Sequence, residues 1–250
     1  MKSLLAVDHV TMRFGRLVAV DGLSMLVEPG ELRAVIGPNG AGKTTFFNLL
    51  SGALRPTSGR IYFDGEDLTA LPPHERVRLG IARTFQITEV FPELSVHENV
   101  RIGVEVTTGQ RLRMWRSRRR DAEASERVNG LLELAGLLAK GDRLVGELSH
   151  GDQRATEILM ALGLEPRLLL LDEPTAGMSD QETWGIAQLV RRLHREQRLT
   201  IVLIEHDMRV IFHLADRITV LSEGATLAEG TPDEIGRDEK VQTAYLGSTR

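Results

Sequence analysis

Apolar residues in the first third of the chain fall in short runs broken by glycine, proline or polar turns, the rhythm of strands. Residues 4–14 and 17–27 alternate imperfectly and meet around Gly15-Arg16, which predicts a hairpin. Leu32-Arg33-Ala34-Val35-Ile36 reads as a strand, and Thr45-Phe46-Phe47-Asn48-Leu49-Leu50 as the start of a helix. Residues 60–65 predict a short strand ending in a turn, and residues 72–78 a short helix opened by proline, a favoured first residue. Residues 81–86 form an apolar strand that delivers Gln86 at its end. Strand ends on the C-terminal side of an α/β sheet are where ligands sit.

Past Ile87 the period changes. Residues 96–106 and 121–138 read as helices, the second with Val128, Leu131, Leu132, Leu134, Leu137 and Leu138 on one apolar face. A third helix is predicted over 155–163. Strand and helix then alternate again. Four consecutive leucines, Leu168–Leu171, fit a central parallel strand covered on both faces. A helix over 183–197, a buried strand over 200–204, two strands around Glu223-Gly224, a helix start at Thr231-Pro232 and an amphipathic tail to Leu246 complete the chain. The pattern predicts an α/β core, residues 1–86 and 164–250, interrupted by a helical subdomain over 87–163.

Composition narrows the class. At 250 residues the chain is one large domain or one domain with an insertion. The formal charge of -4 gives no bulk attraction to nucleic acid, so no nucleic-acid partner is expected. The absence of cysteine excludes disulfides and Cys-based metal sites and fits a reducing compartment. The opening apolar run is too short for a signal peptide, and no run reaches the roughly 18 residues that span a bilayer. Any work at a membrane then depends on a partner.

Chemistry concentrates at Gly37-Pro38-Asn39-Gly40-Ala41-Gly42-Lys43-Thr44, which fits G-x-x-x-x-G-K-[ST] between a predicted strand and a predicted helix. Glycines let backbone N–H groups turn inward around phosphate oxygens, and a helix N-terminus adds unpaired N–H groups. Lys43 is placed to reach the β- and γ-phosphates, and the Thr44 hydroxyl to meet Mg2+. Asp172-Glu173 ends the leucine strand. Two carboxylates there are costly unless they bind a metal or act chemically. Glu205-His206-Asp207 ends the next strand, which gives His206 a site role beside the acids. Phe14 either stacks on a nucleotide base or covers its own hairpin. Ser149 with Asp152 three residues on has the form of a capping box with Asp for Glu, and alone reads as a helix cap. The basic stretch 110–120, holding Trp115, either lies on an anionic membrane or a partner, or is a solvated helix end.

Taken in order, Phe14, the glycine loop, Gln86, Leu148-Ser149-His150-Gly151-Asp152, Asp172-Glu173 and His206 resemble the ATP-binding subunit of ABC transporters over nearly the whole chain. The resemblance implies a P-loop NTPase (RecA-like) core, an antiparallel β subdomain and an inserted α-helical subdomain. It also implies a head-to-tail dimer sandwiching two ATP molecules. In it, ATP is held by Phe14, Gly37 to Thr44 and Thr45 of one chain and by Ser149, Gly151 and Asp152 of a second ATP-binding subunit. Thr44, Gln86 and Asp172 would serve Mg2+, with Asp172 acting through the metal shell. Lys43, Gln86, Glu173 and His206 would be catalytic, with Glu173 polarising the attacking water. The expected partners are membrane permease subunits, which place the chain peripherally at the cytoplasmic face of the inner membrane; Phe91 is a candidate contact.

Within the family, Glu205-His206-Asp207-Met208, Asp172 to Met178 and the ending Gly230-Thr231-Pro232 to Gly247 are most similar to branched-chain amino acid importers and their urea and amide relatives. ATPases of lipopolysaccharide export resemble the chain but tend to lack the basic segment. Two departures stand out. His150 and Asp152 replace the Gly and Gln of LSGGQ, and Ser179 stands where the loop after Glu173 usually holds Asp. A soluble P-loop kinase, a non-transport ABC ATPase and a regulatory nucleotide-binding subunit are the other classes compatible with a P-loop. The 148–152 segment, the single P-loop and the presence of Glu173, Lys43 and His206 argue against them in turn.

Overall fold

The structure is a computed structural model and describes residues 3–84, 90–107 and 118–246. The first elements are β1 (Leu5–Phe14), β2 (Leu17–Val27), β3 (Leu32–Ile36), α1 (Lys43–Ser51), β4 (Ser58–Phe63), β5 (Glu66–Asp67), α2 (Pro73–Leu79) and β6 (Ile81–Arg83). A helical stretch follows: α3 (Val96–Thr107), α4 (Arg118–Ala135), two single 3-10 turns, and α5 (His150–Gly163). The chain then runs through β7 (Leu168–Asp172), α6 (Asp180–Gln197), β8 (Thr200–Ile204), α7 (Met208–Leu214), β9 (Arg217–Ser222), β10 (Ala225–Gly230), α8 (Pro232–Arg237) and α9 (Glu239–Leu246).

Two sheets result. One is antiparallel, in the order β2-β1-β4-β5; the other has the order β10-β9-β3-β8-β7-β6 and is parallel except for β10. The four leucines explain how the second sheet is covered. Leu169 and Leu171 pack with α3, α4, α5 and α6, while Leu168 and Leu170 pack with α1 and the antiparallel sheet. Ile201 and Leu203 of β8 take the first side, Val202 and Ile204 the second. Side chains alternate with period two, so a continuous apolar run feeds two cores.

The helices of the middle stretch pack at close range. A Cβ on Gly103 of α3 would sit 2.1 Å from the Met160 carbonyl oxygen of α5, and one on Gly163 would sit 2.7 Å from the Val104 nitrogen. Glycine at both positions lets the two backbones approach. Arg76, 1% exposed, donates to the carbonyls of Leu49, Leu50, Leu68 and Leu71. It thereby satisfies C-terminal carbonyls of α1, and burial pushes its pKa down to about 10.

Several boundaries differ from the sequence reading. Pro72 is the N-cap of α2 rather than its first residue; Pro73 holds that position. Helix α4 ends at Ala135, short of the predicted 138, because Gly136 turns left-handed at φ 71°. Helix α5 begins at His150, with Ser149 as N-cap, instead of at 155. Helix α6 begins at Asp180 with a full capping box between Ser179 and Glu182. That box gives the departing Ser179 a structural role. Helix α7 was not anticipated; the Asp207 side chain caps it by accepting from the Arg209 N–H.

Candidate functional site

Strands β3, β8 and β7 are neighbours, and their C-terminal ends deliver the loop 37–42, Glu205-His206 and Asp172-Glu173 to one edge. Most of the candidate residues, spread in sequence from Gly37 to His206, therefore meet because three parallel strands end together.

The loop is fixed from behind. A Cβ on Gly37 would lie 2.2 Å from the Leu221 carbonyl oxygen, and one on Gly42 would lie 2.3 Å from that of Ala19. Gly42, at φ 96°, is the N-cap of α1 and offers no side chain to the helix's first N–H groups; no acid lies in the first turn. By contrast α5, α6 and α8 are capped by Ser149, Ser179 and Thr231. The first turn of α1, carrying Lys43, Thr44 and Thr45, thus keeps N–H groups for an anion. Asn39, Gly40 and Thr44 are exposed, while Ala41 is buried and turns back onto Pro38 through a 3.1 Å hydrogen bond. Lys43 is 7% exposed and donates from Nζ to the carbonyls of Gly37 (2.7 Å) and Pro38 (3.1 Å). Burial lowers its pKa; Glu173 and Asp172 nearby pull it back up. The ammonium is held by neutral carbonyls that phosphate oxygens can replace. Ala19 lies against Gly42, and two residues before it Leu17 pairs with Phe14, 45% exposed, so the hairpin end stands beside the loop.

The acids are held by groups that the sequence reading did not single out. Asp172 is 1% exposed and its Oδ2 accepts from Arg83 Nη2 at 2.7 Å. Arg154 of α5 donates to the carbonyls of Asp172 (2.7 Å), Glu173 (3.2 Å) and Pro174 (3.3 Å) and pairs with Glu157. Glu173 adopts φ 47°, a left-handed backbone unusual for a non-glycine residue and costing on the order of 1–3 kcal/mol. Its Oε1 is 2.8 Å from His206 Nε2. Glu205 is 4% exposed; its Oε1 accepts from the Thr175 N–H (3.0 Å) and hydroxyl, and its Oε2 from the N–H groups of His206 (2.8 Å) and Asp207 (3.4 Å). One buried carboxylate therefore ties the loop after Glu173 to the loop carrying His206.

Ser149, Gly151 and Asp152 cluster at the α5 N-terminus, where their contacts are with α6 and Lys140. Ser149 Oγ accepts from the Asp152 N–H at 3.2 Å, but the Asp152 carboxylate pairs with Lys140 at 2.5 Å rather than closing the box. The Gly151 N–H donates to Glu182 Oε1 at 3.1 Å. Hydrogen bonds from Ser179 and from Gly151 hold the Glu182 carboxyl below its ordinary pKa. Gln86 and residues 110–117 of the basic stretch lie outside the described residues. Phe91 is 51% exposed, its N–H bonded to Asn99.

Thr44 and Asp172 offer hard oxygen donors beside a helix end whose N–H groups suit an anion. Mg2+ is commonly held by one or two such ligands plus substrate phosphates, so the donor set fits it. No cluster of three His, Cys, Asp or Glu side chains suited to a metal occurs among the described residues.

A parallel sheet whose central strand feeds a glycine loop and an uncapped helix defines a P-loop nucleotide-binding protein. Comparison carries this further. The family described as ABC transporter matches residues 20–176, and a second, described as branched-chain amino acid ATP-binding cassette transporter, matches residues 225–249. The chain is 40% identical to the high-affinity branched-chain amino acid transport ATP-binding protein BraF of Pseudomonas aeruginosa, over 98% of both chains. It is 40% identical to LivG of Escherichia coli K12, a protein of the same description, again over 98% of both. Among solved structures it resembles the ADP conformation of MJ1267, an ATP-binding cassette of an ABC transporter, with a TM-score of 0.87 and 32% identity, covering 99% of this chain and 100% of that one. A dimeric ABC transporter cassette, MJ0796, gives a TM-score of 0.77 at 26% identity, covering 91% and 98%. The chain belongs to the ABC transporter family as an ATP-binding subunit, and is an ATPase of that family. No described helix is long and apolar enough to cross a membrane. Subunits of this kind work with membrane permeases.

Proposed function

We propose that the chain hydrolyses ATP to power import of branched-chain amino acids or similar small polar solutes. The observation that carries the cargo class is the match of residues 225–249 to the branched-chain family, added to full-length similarity to BraF and LivG. On this reading the chain is one ABC ATP-binding domain in which residues 87–163 form a helical subdomain. It sits at the cytoplasmic face of the membrane through permease subunits, with Phe91 on the contacting surface.

The phosphates are held by the N–H groups of the first turn of α1 and by Lys43, released from the Gly37 and Pro38 carbonyls. Phe14 stacks on the base. Thr44 and Gln86 would ligate Mg2+, with Asp172 acting through its hydration shell, and the ion would supply charge neutralisation for the phosphate oxygens. Glu173 accepts a proton from the attacking water, and His206 turns from Glu173 to the γ-phosphate. Ser149, Gly151 and Asp152 of a second ATP-binding subunit complete the site. For the partner's γ-phosphate to reach the Gly151 N–H, Glu182 must give it up, because two anions cannot share one donor at close range.

Substitution Glu173→Gln tests the assignment of the base. It is expected to keep ATP binding, remove hydrolysis and accumulate an ATP-bound dimer on size-exclusion chromatography. Hydrolysis at the wild-type rate would refute it.

A further inference from the structure

Arg83 is the last residue of β6 and three positions before Gln86. Its side chain is 8% exposed and its guanidinium forks. Nη2 donates to Asp172 Oδ2 at 2.7 Å, while Nη1 donates to Asn48 Oδ1 at 2.6 Å and to Ser51 Oγ at 3.1 Å. The guanidinium carbon stands 5.8 Å from the centroid of Phe47, itself fully buried. Phe47, Asn48 and Ser51 all lie on α1, the helix whose first turn carries Lys43 and Thr44. Arg83 thus joins the strand-end acid to the helix that bears the phosphate loop. A planar fork fixes both partners in direction, which a lysine's point charge does not. Among the described residues no donor meets Asp172 Oδ1, so the fork holds one carboxylate oxygen and leaves the other.

We propose that Arg83 is a positioning residue for the nucleotide-bound divalent cation. It locks the Asp172 carboxylate in register with α1, so that the free oxygen meets the cation's hydration shell at a fixed distance from Thr44. The proposal rests on reading Asp172 as the acid of the metal shell. Groups that orient a metal-side carboxylate typically change metal affinity about 10–100-fold when removed.

The test uses the purified full chain and a non-hydrolysable imidotriphosphate analogue of ATP. Its affinity is measured by calorimetry with Mg2+ and with EDTA, and the ratio is the Mg2+ gain. Mn2+ binding to the same complexes is followed by electron paramagnetic resonance. Arg83→Lys keeps the charge and loses the fork; Asn48→Ala removes the shorter of its two contacts to α1 and leaves the acid paired. Both are expected to leave the EDTA affinity within twofold of wild type. Arg83→Lys should lower the Mg2+ gain about tenfold and Asn48→Ala severalfold, each broadening the Mn2+ signal. A merely structural arginine would move stability or both affinities together. Asp172→Asn separates the two claims. If it abolishes the Mg2+ gain while Arg83→Lys and Asn48→Ala leave it at the wild-type value, Arg83 has no positioning role. If Asp172→Asn itself leaves the gain intact, the metal reading of Asp172 falls and the role of Arg83 with it.

Discussion

Replacing Glu205 with glutamine removes one charge and changes no shape. In the native site the carboxylate accepts from both loops, Thr175 on one oxygen and His206 and Asp207 on the other. An amide has one accepting oxygen. If its nitrogen faces His206 and Asp207, two backbone N–H groups oppose it. If it faces Thr175, the hydroxyl can rotate and accept from the amide, and only the Thr175 N–H is orphaned. The second orientation is cheaper and sets the cost. One unsatisfied buried donor costs about 1–3 kcal/mol, and the remaining bonds weaken from charge-assisted to neutral. Relief of carboxylate desolvation offsets part of that, leaving about 2–3 kcal/mol. For a chain of this size each kcal/mol shifts the melting temperature by about 2–4 °C, so calorimetry should record a drop of about 4–12 °C. Because Glu173 and His206 ride on the two loops, kcat for ATP hydrolysis should fall more than KM changes. An unchanged melting temperature together with unchanged kcat would refute the tie between the loops.

Three further substitutions probe packing and the 148–152 segment. Gly103→Ala places a methyl group against the Met160 carbonyl, which cannot move without parting α3 from α5, so thermal unfolding should show a loss of about 1–3 kcal/mol. Gly130→Ala, in the interior of α4 with open space around the added carbon, should instead gain up to about 1 kcal/mol in the same assay. Glu182→Gln keeps the Ser179 capping box but removes the charge on the Gly151 N–H; combined with Glu173→Gln, it should tighten ATP-driven dimerisation severalfold in analytical ultracentrifugation. Weaker dimerisation would mean that Glu182 supports the dimer rather than competing with its nucleotide.

The alternation of strand and helix, the glycine loop, the acids after the leucines and the histidine after Ile204 were all readable without coordinates, and so was the family. Each is a local pattern: a period of two or 3.6, or a fixed spacing around a turn. Four leucines in a row fit a strand covered on both faces, and the structure divides them between two cores. What escaped the sequence were the groups that hold these residues still. Arg83 meets Asp172 across 89 positions, Arg154 meets it across 18, and Glu205 reaches Thr175 across 30. A charge inside the apolar run 81–86 was a signal, since an arginine there must find a buried partner. Nothing local names that partner. Helix ends escaped for a related reason: Ser149 and Ser179 look alike as caps, and only packing sends one following acid to Lys140 and the other back to Ser179. The sequence by itself determined which residues are candidates for the chemistry, because residue type and local backbone decide that. The tertiary structure alone decided which charges hold them in place, because burial makes an ion pair obligatory only after the chain has closed around it.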